Sequence, residues 1–220
     1  MDTQVLHHGL CWAGSLGLAN FLLERHTKRN PKGALARQVK NRFFDMPVHT
    51  YVVATSGQAF LQPTLWLLAY LTRDTSKAWW FGIQQQWYVG EFLAHSFGYF
   101  LQDAASHWDQ SPLVLLHHVA SSLAAYVLAR GACWQGFLLT MAQIGELGSL
   151  SVQLYDLGFV SRRLARVALL WSSALPIAFS AAALLFGGEQ IDRPDVPSGC
   201  MLALVLVMGI MRIRETPNLA

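Results

Sequence analysis

The sequence predicts an all-α, polytopic transmembrane bundle of about seven helices, with its N-terminus outside and its C-terminus in the cytoplasm. Three observations lead there. Hydrophobic residues make up 53% of the 220-residue chain and charged residues only 13%, with a mean hydropathy of +0.31; soluble domains carry roughly a quarter charged residues. Seven apolar stretches have the length and composition of membrane-crossing helices. Their connections alternate in charge: one side holds 12 of the Lys and Arg residues and the other 4. The positive-inside rule makes the richer side cytoplasmic.

The first span, Val5–Leu23, begins within MDTQVLHHGL, which has no basic n-region, so a retained anchor is expected rather than a cleaved signal. His7 and His8 open it at the outer interface. The first loop, Glu24–Met46, carries Arg25, Lys28, Arg29, Lys32, Arg37, Lys40 and Arg42. It is expected to hold either a short amphipathic helix over 34–44, resting on anionic headgroups, or a solvated topogenic segment. The second span is Val48–Leu71, with Pro63 inside it, and the third is Trp87–Ser106. The fourth is Pro112–Ala129 and the fifth Trp134–Tyr155. The sixth is Ala165–Gly187, with Pro176 inside, and the seventh Pro197–Ile213. The two prolines predict kinks that a helical bundle tolerates. The third and fifth spans are the least hydrophobic, as befits helices lining an interior. Trp79-Trp80 and Trp87-Tyr88 read as an outer aromatic belt. Cys133 and Cys200 fall on the outer side, where a disulfide could form, and the three cysteines have no metal-type spacing.

Ionisable side chains in hydrocarbon usually face a protein interior or a wet cavity, and there they mark function. His117 and His118 are adjacent within PLVLLHHVASSLAAYVLA. Consecutive helical positions lie about 100° apart, so the two rings cannot share one partner. The third span carries a polar stripe of Glu91, His95, Gln102 and Ser106, with Asp103 in its cytoplasmic half. On the fifth span, Gln143, Glu146, Ser149 and Gln153 fall within about a third of the circumference. His49 opens the second span from the same side. The expectation is one pocket in the cytoplasmic leaflet, gathering His117 or His118, Asp103, Glu146, Ser149, Gln153 and His49.

A histidine beside a carboxylate can act as a general base on a hydroxyl or amine, or can take an acyl group itself. Asp103 or Glu146 would orient the ring and fix its tautomer. A metal centre needs three or four converging ligands; no H-x-x-H or H-x-x-x-H spacing is present, and no metal is expected. The plainer alternative treats each polar residue as an interhelical hydrogen-bonder worth roughly 0.6–2 kcal/mol.

The stretch from His95 to Gln153 resembles the TLC domain, the family of ceramide synthases, the translocating-chain-associating membrane protein and several small lipid-homeostasis proteins. FGYFLQD (Phe97–Asp103, including Tyr99) is similar to the family's tyrosine-and-aspartate segment, and LLHHVASSLAAY (Leu115–Tyr126) to its paired-histidine helix. ELGSLSVQLYDLG (Glu146–Gly158) and FFDMPVHTYVV (Phe43–Val53) resemble the following helix and the domain's opening segment. The resemblance covers roughly Arg42 to Met211. It divides the chain into an anchor and basic loop (1–41), a TLC-like transmembrane domain (42–213) and a tail (214–220).

The resemblance implies an integral protein of the endoplasmic reticulum, with the plasma membrane as alternative. It implies that His117, His118 and Asp103 are catalytic, and that His49, Tyr99, Glu146, Ser149 and Gln153 bind substrate. No cofactor is implied beyond acyl-CoA as co-substrate. The partners implied are membrane lipids, without nucleic acid, and self-association is left open. The ceramide-synthase signature has a His-Asp pair and further acidic residues where this chain reads Ile144-Gly145-Glu146-Leu147-Gly148-Ser149, so the smaller TLC proteins look closer. Two functions follow as expectations. One is acyl-CoA-dependent acyl transfer to a sphingoid base or lysophospholipid. The other is a non-catalytic lipid-binding regulator or secretory cargo escort. A seven-helix receptor is disfavoured, because the third span ends QDAASHWD and the seventh lacks Asn-Pro-x-x-Tyr. A proton-coupled transporter is disfavoured by the lack of an inverted repeat.

Overall fold

A computed structural model describes residues 2–40, 45–77, 79–83, 86–106, 112–130, 134–186 and 193–216. Among them the chain is all-helical apart from one short ribbon. Helix α1 spans Asp2–Arg29. Strands β1 (Gln38–Lys40) and β2 (Asp45–Pro47) pair antiparallel, with Val39 opposite Met46. Helices α2 (Val48–Ser56) and α3 (Gln62–Leu71) form one rod, joined by a π-helical turn at Gly57–Leu61. Then come α4 (Trp87–Ser106), α5 (Pro112–Ala129), α6 (Gln135–Asp156), α7 (Arg162–Phe186) and α8 (Val196–Glu215). The rods follow the expected apolar stretches closely. Cys133 lies outside the described residues, so the Cys133–Cys200 pairing does too.

Local chemistry fixes several helix ends. Asp195 caps α8, its carboxylate accepting from the Ser198 amide at 2.9 Å, with Pro197 in the first turn. At the C-terminus of α6, Gly158 takes φ +87°; its amide donates to Tyr155 O and the Phe159 amide donates to Leu154 O. This is the Schellman arrangement, and it needs a residue without Cβ strain.

Pro63 explains the π turn. It brings no N–H to the ladder, and its ring crowds the preceding turn. Widening that turn lets the Gln62 amide reach Gly57 O instead. The same widening sets Gln58 and Gln62 side by side toward the interior, both almost fully buried.

Helix α1 packs along α4. Gly9 and Gly98 make this possible: a Cβ on Gly98 would lie 2.7 Å from Trp12 Cβ and 2.8 Å from the Ala13 amide. Small residues at a crossing let two backbones approach in this way. The largest apolar cluster joins α4, α5 and α6 around Val89, Leu93, Phe137, Leu139 and Met141. Phe81 stacks on Phe137 and meets Trp134 edge-on.

Two helices, Arg162–Phe186 and Val196–Arg214, are long and apolar enough to cross a membrane, with mean hydropathies of 1.8 and 2.0. A shorter apolar helix runs over Leu115–Ala129. The outer faces of the other rods are apolar nonetheless: Leu18, Phe60, Leu116, Leu123 and Leu147 are exposed on four separate elements.

Three expectations need correction. The first loop holds neither an amphipathic helix nor a merely solvated segment, because it forms a 3-10 turn at Ala34–Ala36 followed by the ribbon. Pro31 and Gly33 interrupt helix formation, and buried Val39 packs with Val48 and Tyr51. Tyr88 does not join an aromatic belt. It is buried, with its hydroxyl bonded to Thr72 and Gln86, while only Trp87 of that pair is exposed. The polar residues of the spans also do not converge on one pocket.

Candidate functional site

The alternating rods bring the α1 C-terminus, the α2 N-terminus, the α4 C-terminus, the α5 N-terminus, the α6–α7 turn and the α8 C-terminus to one end. Here Arg37 donates to Leu157 O at 3.5 Å and Tyr51 donates to Asp156 at 3.0 Å. Most of the basic residues among those described share this end.

His117 and His118 behave as two separate groups, as their angular offset requires. His118 turns to α4, its Nδ1 lying 3.1 Å from Asp103 Oδ2, with both side chains about nine-tenths buried. His117 lies against a cavity of about 120 Å³ between α4, α5, α6, α7 and α8. Its Nδ1 is 3.3 Å from the Ser121 hydroxyl one turn on, while Ser122 donates back to the His118 carbonyl. The ring centroids stand 5.4 Å apart, and Phe100 contacts both, edge-on to His117.

The cavity has a polar end and an apolar bore. At the polar end, Arg212 of α8 donates to Gly145 O at 2.7 Å and to Ser149 Oγ at 2.8 Å, and lies 3.9 Å from Glu146 Oε1. Glu146 also accepts from Gln58 Nε2 at 2.8 Å. Away from this end the walls are apolar, with Leu93, Leu128, Leu139, Pro176 and Val205. From His117 to Leu128 the bore follows α5 for about 16 Å at 1.5 Å per residue. Such a cleft suits a hydrocarbon chain ending in a polar group, and a histidine stands where that group would lie.

The remaining candidates separate. Gln153 accepts from Thr55 at 2.9 Å and bonds buried Tyr99, which places both between α2, α4 and α6 beside the site. Gln143 is buried away from the cavity, and neither end of its amide finds a hydrogen-bond partner among the described residues. Glu91 is taken by His8 and Trp12 of α1 at the opposite end. His95 is buried beside Gln62, which lies 3.3 Å from its Nδ1, and its ring occupies the space where a Gly57 side chain would be.

His49 is the clearest displacement. It lines a different hollow of about 620 Å³, between α1, the ribbon, α2 and α4, together with Asn20, Glu24, Lys28 and Gln102. The reason is angular: α2 turns His49 toward α1, whereas Tyr51, two residues on, points to α6. In that hollow Lys28 bonds Glu24 at 2.8 Å, and its hydrogen bond and charge hold the Glu24 carboxyl below the usual range.

Sequence reasoning missed Arg212, Gln58 and Gln62. Arg212 falls within the seventh apolar stretch, Pro197–Ile213, near its C-terminal end. The two glutamines were legible by the rule that singled out the histidines, as amides four apart in an apolar run beside a proline.

No protein-family model, no curated protein and no solved structure matches this chain.

Proposed function

We propose that this chain is a multi-pass membrane protein of lipid homeostasis, spanning the bilayer seven times with the basic end in the cytoplasm. Its chemistry would be transfer of an acyl group from acyl-CoA to a sphingoid base or lysophospholipid. The observation that carries the reading is His117 in the wall of an apolar cavity whose nearer end holds Arg212 and Glu146. The resemblance to TLC proteins, with an ordered histidine pair and Asp103, supports the same chemistry and an endoplasmic-reticulum setting. Apolar side chains exposed on successive rods support a lipid surround for the whole bundle, since soluble monomers rarely expose such area.

In this reading the acyl chain lies along the bore and its thioester carbonyl sits near His117. With Nδ1 donating to Ser121 Oγ, the ring's Nε2 carries the lone pair. It takes the proton from the acceptor amine or hydroxyl as that atom bonds to the carbonyl carbon. The carbon–sulfur bond breaks, and the CoA thiolate regains a proton from the imidazolium. Asp103 orients His118, which supports His117 through Phe100 and the shared helix turn. Basic residues at this end attract the phosphates of CoA.

Purified protein in nanodiscs, given labelled acyl-CoA and an acceptor panel, should form labelled product that His117→Ala abolishes. Absence of turnover with every acceptor, while acyl-CoA still binds, would sink the transferase reading. The cavity's volume favours a second reading. At about 120 Å³ it is below the usual 300–1,000 Å³ of ligand pockets, so it would hold part of a chain without turning it over. A lipid-binding regulator or cargo escort would keep its effect on cellular lipid composition in the His117/His118 double alanine variant.

A further inference from the structure

The cavity beside His117 is walled unevenly. Its residues on α4 and α7, such as Phe92, Leu93, Ser172 and Ser173, are buried. On α5 and α8 the wall is partly exposed, at His117 and Ser121 on one helix and at Met208 and Arg212 on the other. These two helices are also poorly joined: α5 packs along α4 and α8 along α7, but α5 and α8 meet only briefly. Ala142 of α6 lines the same space and is exposed there, so the space communicates with the surroundings. The seam between α5 and α8 is the way out.

Helix direction locates the opening. The α5 rod runs away from the basic end and α8 runs toward it, with His117 and Arg212 both at the polar end of the cavity. One turn deeper, about 6 Å, stand Ser121 on α5 and Met208 on α8. Beyond that turn α5 is closed, because Ala124, Ala125 and Leu128 are buried. Outside, the seam is flanked by exposed Leu116, Val119 and Leu123 on α5 and by Val207 and Ile210 on α8. Lipid tails are as apolar as these side chains, so the opening faces hydrocarbon rather than water.

Its size and lining narrow the ligand. A gap one helical turn tall, beside a cavity of about 120 Å³, admits one chain and not two. Met208 is unbranched and can turn aside as a chain passes. At the inner edge the Nδ1 of His117 lies 3.3 Å from the Ser121 hydroxyl, which leaves Nε2 to accept from an incoming N–H or O–H.

We propose that the α5–α8 seam is a lateral portal for a single-chain lipid of the cytoplasmic leaflet, one with a free amine or hydroxyl near the head of its chain. The chain lies between Ser121 and Met208, beside the bore rather than in it. The head stays level with Arg212, and the amine or hydroxyl donates to His117 Nε2. A diacyl lipid is too wide to enter. The proposal rests on the bilayer reading above and gives the acceptor a route of its own, from the membrane, while the donor comes from the cytosol.

The test is photolabelling in phosphatidylcholine nanodiscs without acyl-CoA, using a sphingoid base with a diazirine near its head, followed by peptide mapping. Label is expected within 117–121 and 204–212, above the lipid-facing background on α1 around Phe21. Unlabelled sphingoid base and lysophosphatidylcholine should compete, the stronger of the two marking the acceptor class, and added diacyl phosphatidylethanolamine should not. Met208→Trp should cut seam label about tenfold, within the cost of overfilling a packed gap, whereas Met208→Ala should raise it. Label confined to the background, equal competition by the diacyl lipid, wild-type labelling in Met208→Trp, or equal loss in both Met208 variants would overturn the portal. Seam label in a protein that shows no turnover would keep the portal and sink only the transferase reading. Turnover without seam label would do the reverse.

Discussion

Arg212 and Glu146 should be energetically coupled, and the coupling can be worked from the geometry. Their charged atoms lie 3.9 Å apart, with side-chain exposures of 19% and 14%. At an effective dielectric near 20, this separation corresponds to a gross attraction of about 4 kcal/mol. Arg212→Met removes that attraction and two further hydrogen bonds, to Gly145 O and Ser149. Glu146 is then left with Gln58 and Ser149 as its donors. Removing one partner of a buried pair typically costs 3–5 kcal/mol; partial exposure puts this case at about 3 kcal/mol. Glu146→Gln keeps the shape and an acceptor for Gln58 but strands the guanidinium, at about 2–3 kcal/mol. The double variant no longer holds an unpaired charge, so it should fall short of the sum of the singles by about 2 kcal/mol. Reversible unfolding in mixed micelles supplies the three free energies for the cycle. Additivity within about 0.5 kcal/mol, the range for independent sites, would refute the pairing.

Asp103→Asn should leave the fold intact and lower acyl-transfer kcat about tenfold to a hundredfold, the kinetic equivalent of losing a charge-assisted hydrogen bond. The KM for acyl-CoA should change little, and a KM effect alone would assign Asp103 to binding. Gly98→Val should destabilise the bundle by about 1–3 kcal/mol, because its Cβ meets the α1 backbone rather than a mobile side chain; unfolding in micelles checks this. Cys200 and Cys11 are both exposed, yet only Cys200, near the start of α8, should react with a membrane-impermeant maleimide added outside intact vesicles. Equal reaction at Cys11, within the first span, would contradict a lipid-facing α1.

The helices were legible because their signals are local. Apolar runs of the right length, Pro197 after Asp195, and Gly158 after the last turn of α6 each act within a few residues. The ribbon was less legible, since Val39 owes its place to Val48 and Tyr51 rather than to its neighbours in sequence. In the candidate site, the histidine pair, Asp103, Glu146 and Ser149 could be named from helical spacing and span direction. Their partners could not, because a stripe on one helix says which side is polar and not which neighbour it meets. Glu91 and His95 share a face of α4 yet contact α1 and α3, and His49 faces α1.

That division between the two histidines has a functional consequence of its own. Were both rings to line one cavity, either could accept a proton and neither would need a fixed partner. Here His118 is committed to Asp103, and among the described residues His117 has a serine hydroxyl as its near hydrogen-bond neighbour. A group held by a carboxylate is suited to fixing geometry, and one held loosely beside a cavity is suited to exchanging protons with what enters it. The two adjacent positions are therefore not interchangeable: exchanging roles would require α5 to rotate by about 100°. Such a rotation would expose Asp103 to the bore and carry the Ser121 face away from it. Single alanine variants should accordingly differ in kind. His117→Ala should remove turnover while leaving Asp103 and His118 in place, whereas His118→Ala should leave a residual rate that falls no further when Asp103→Asn is added.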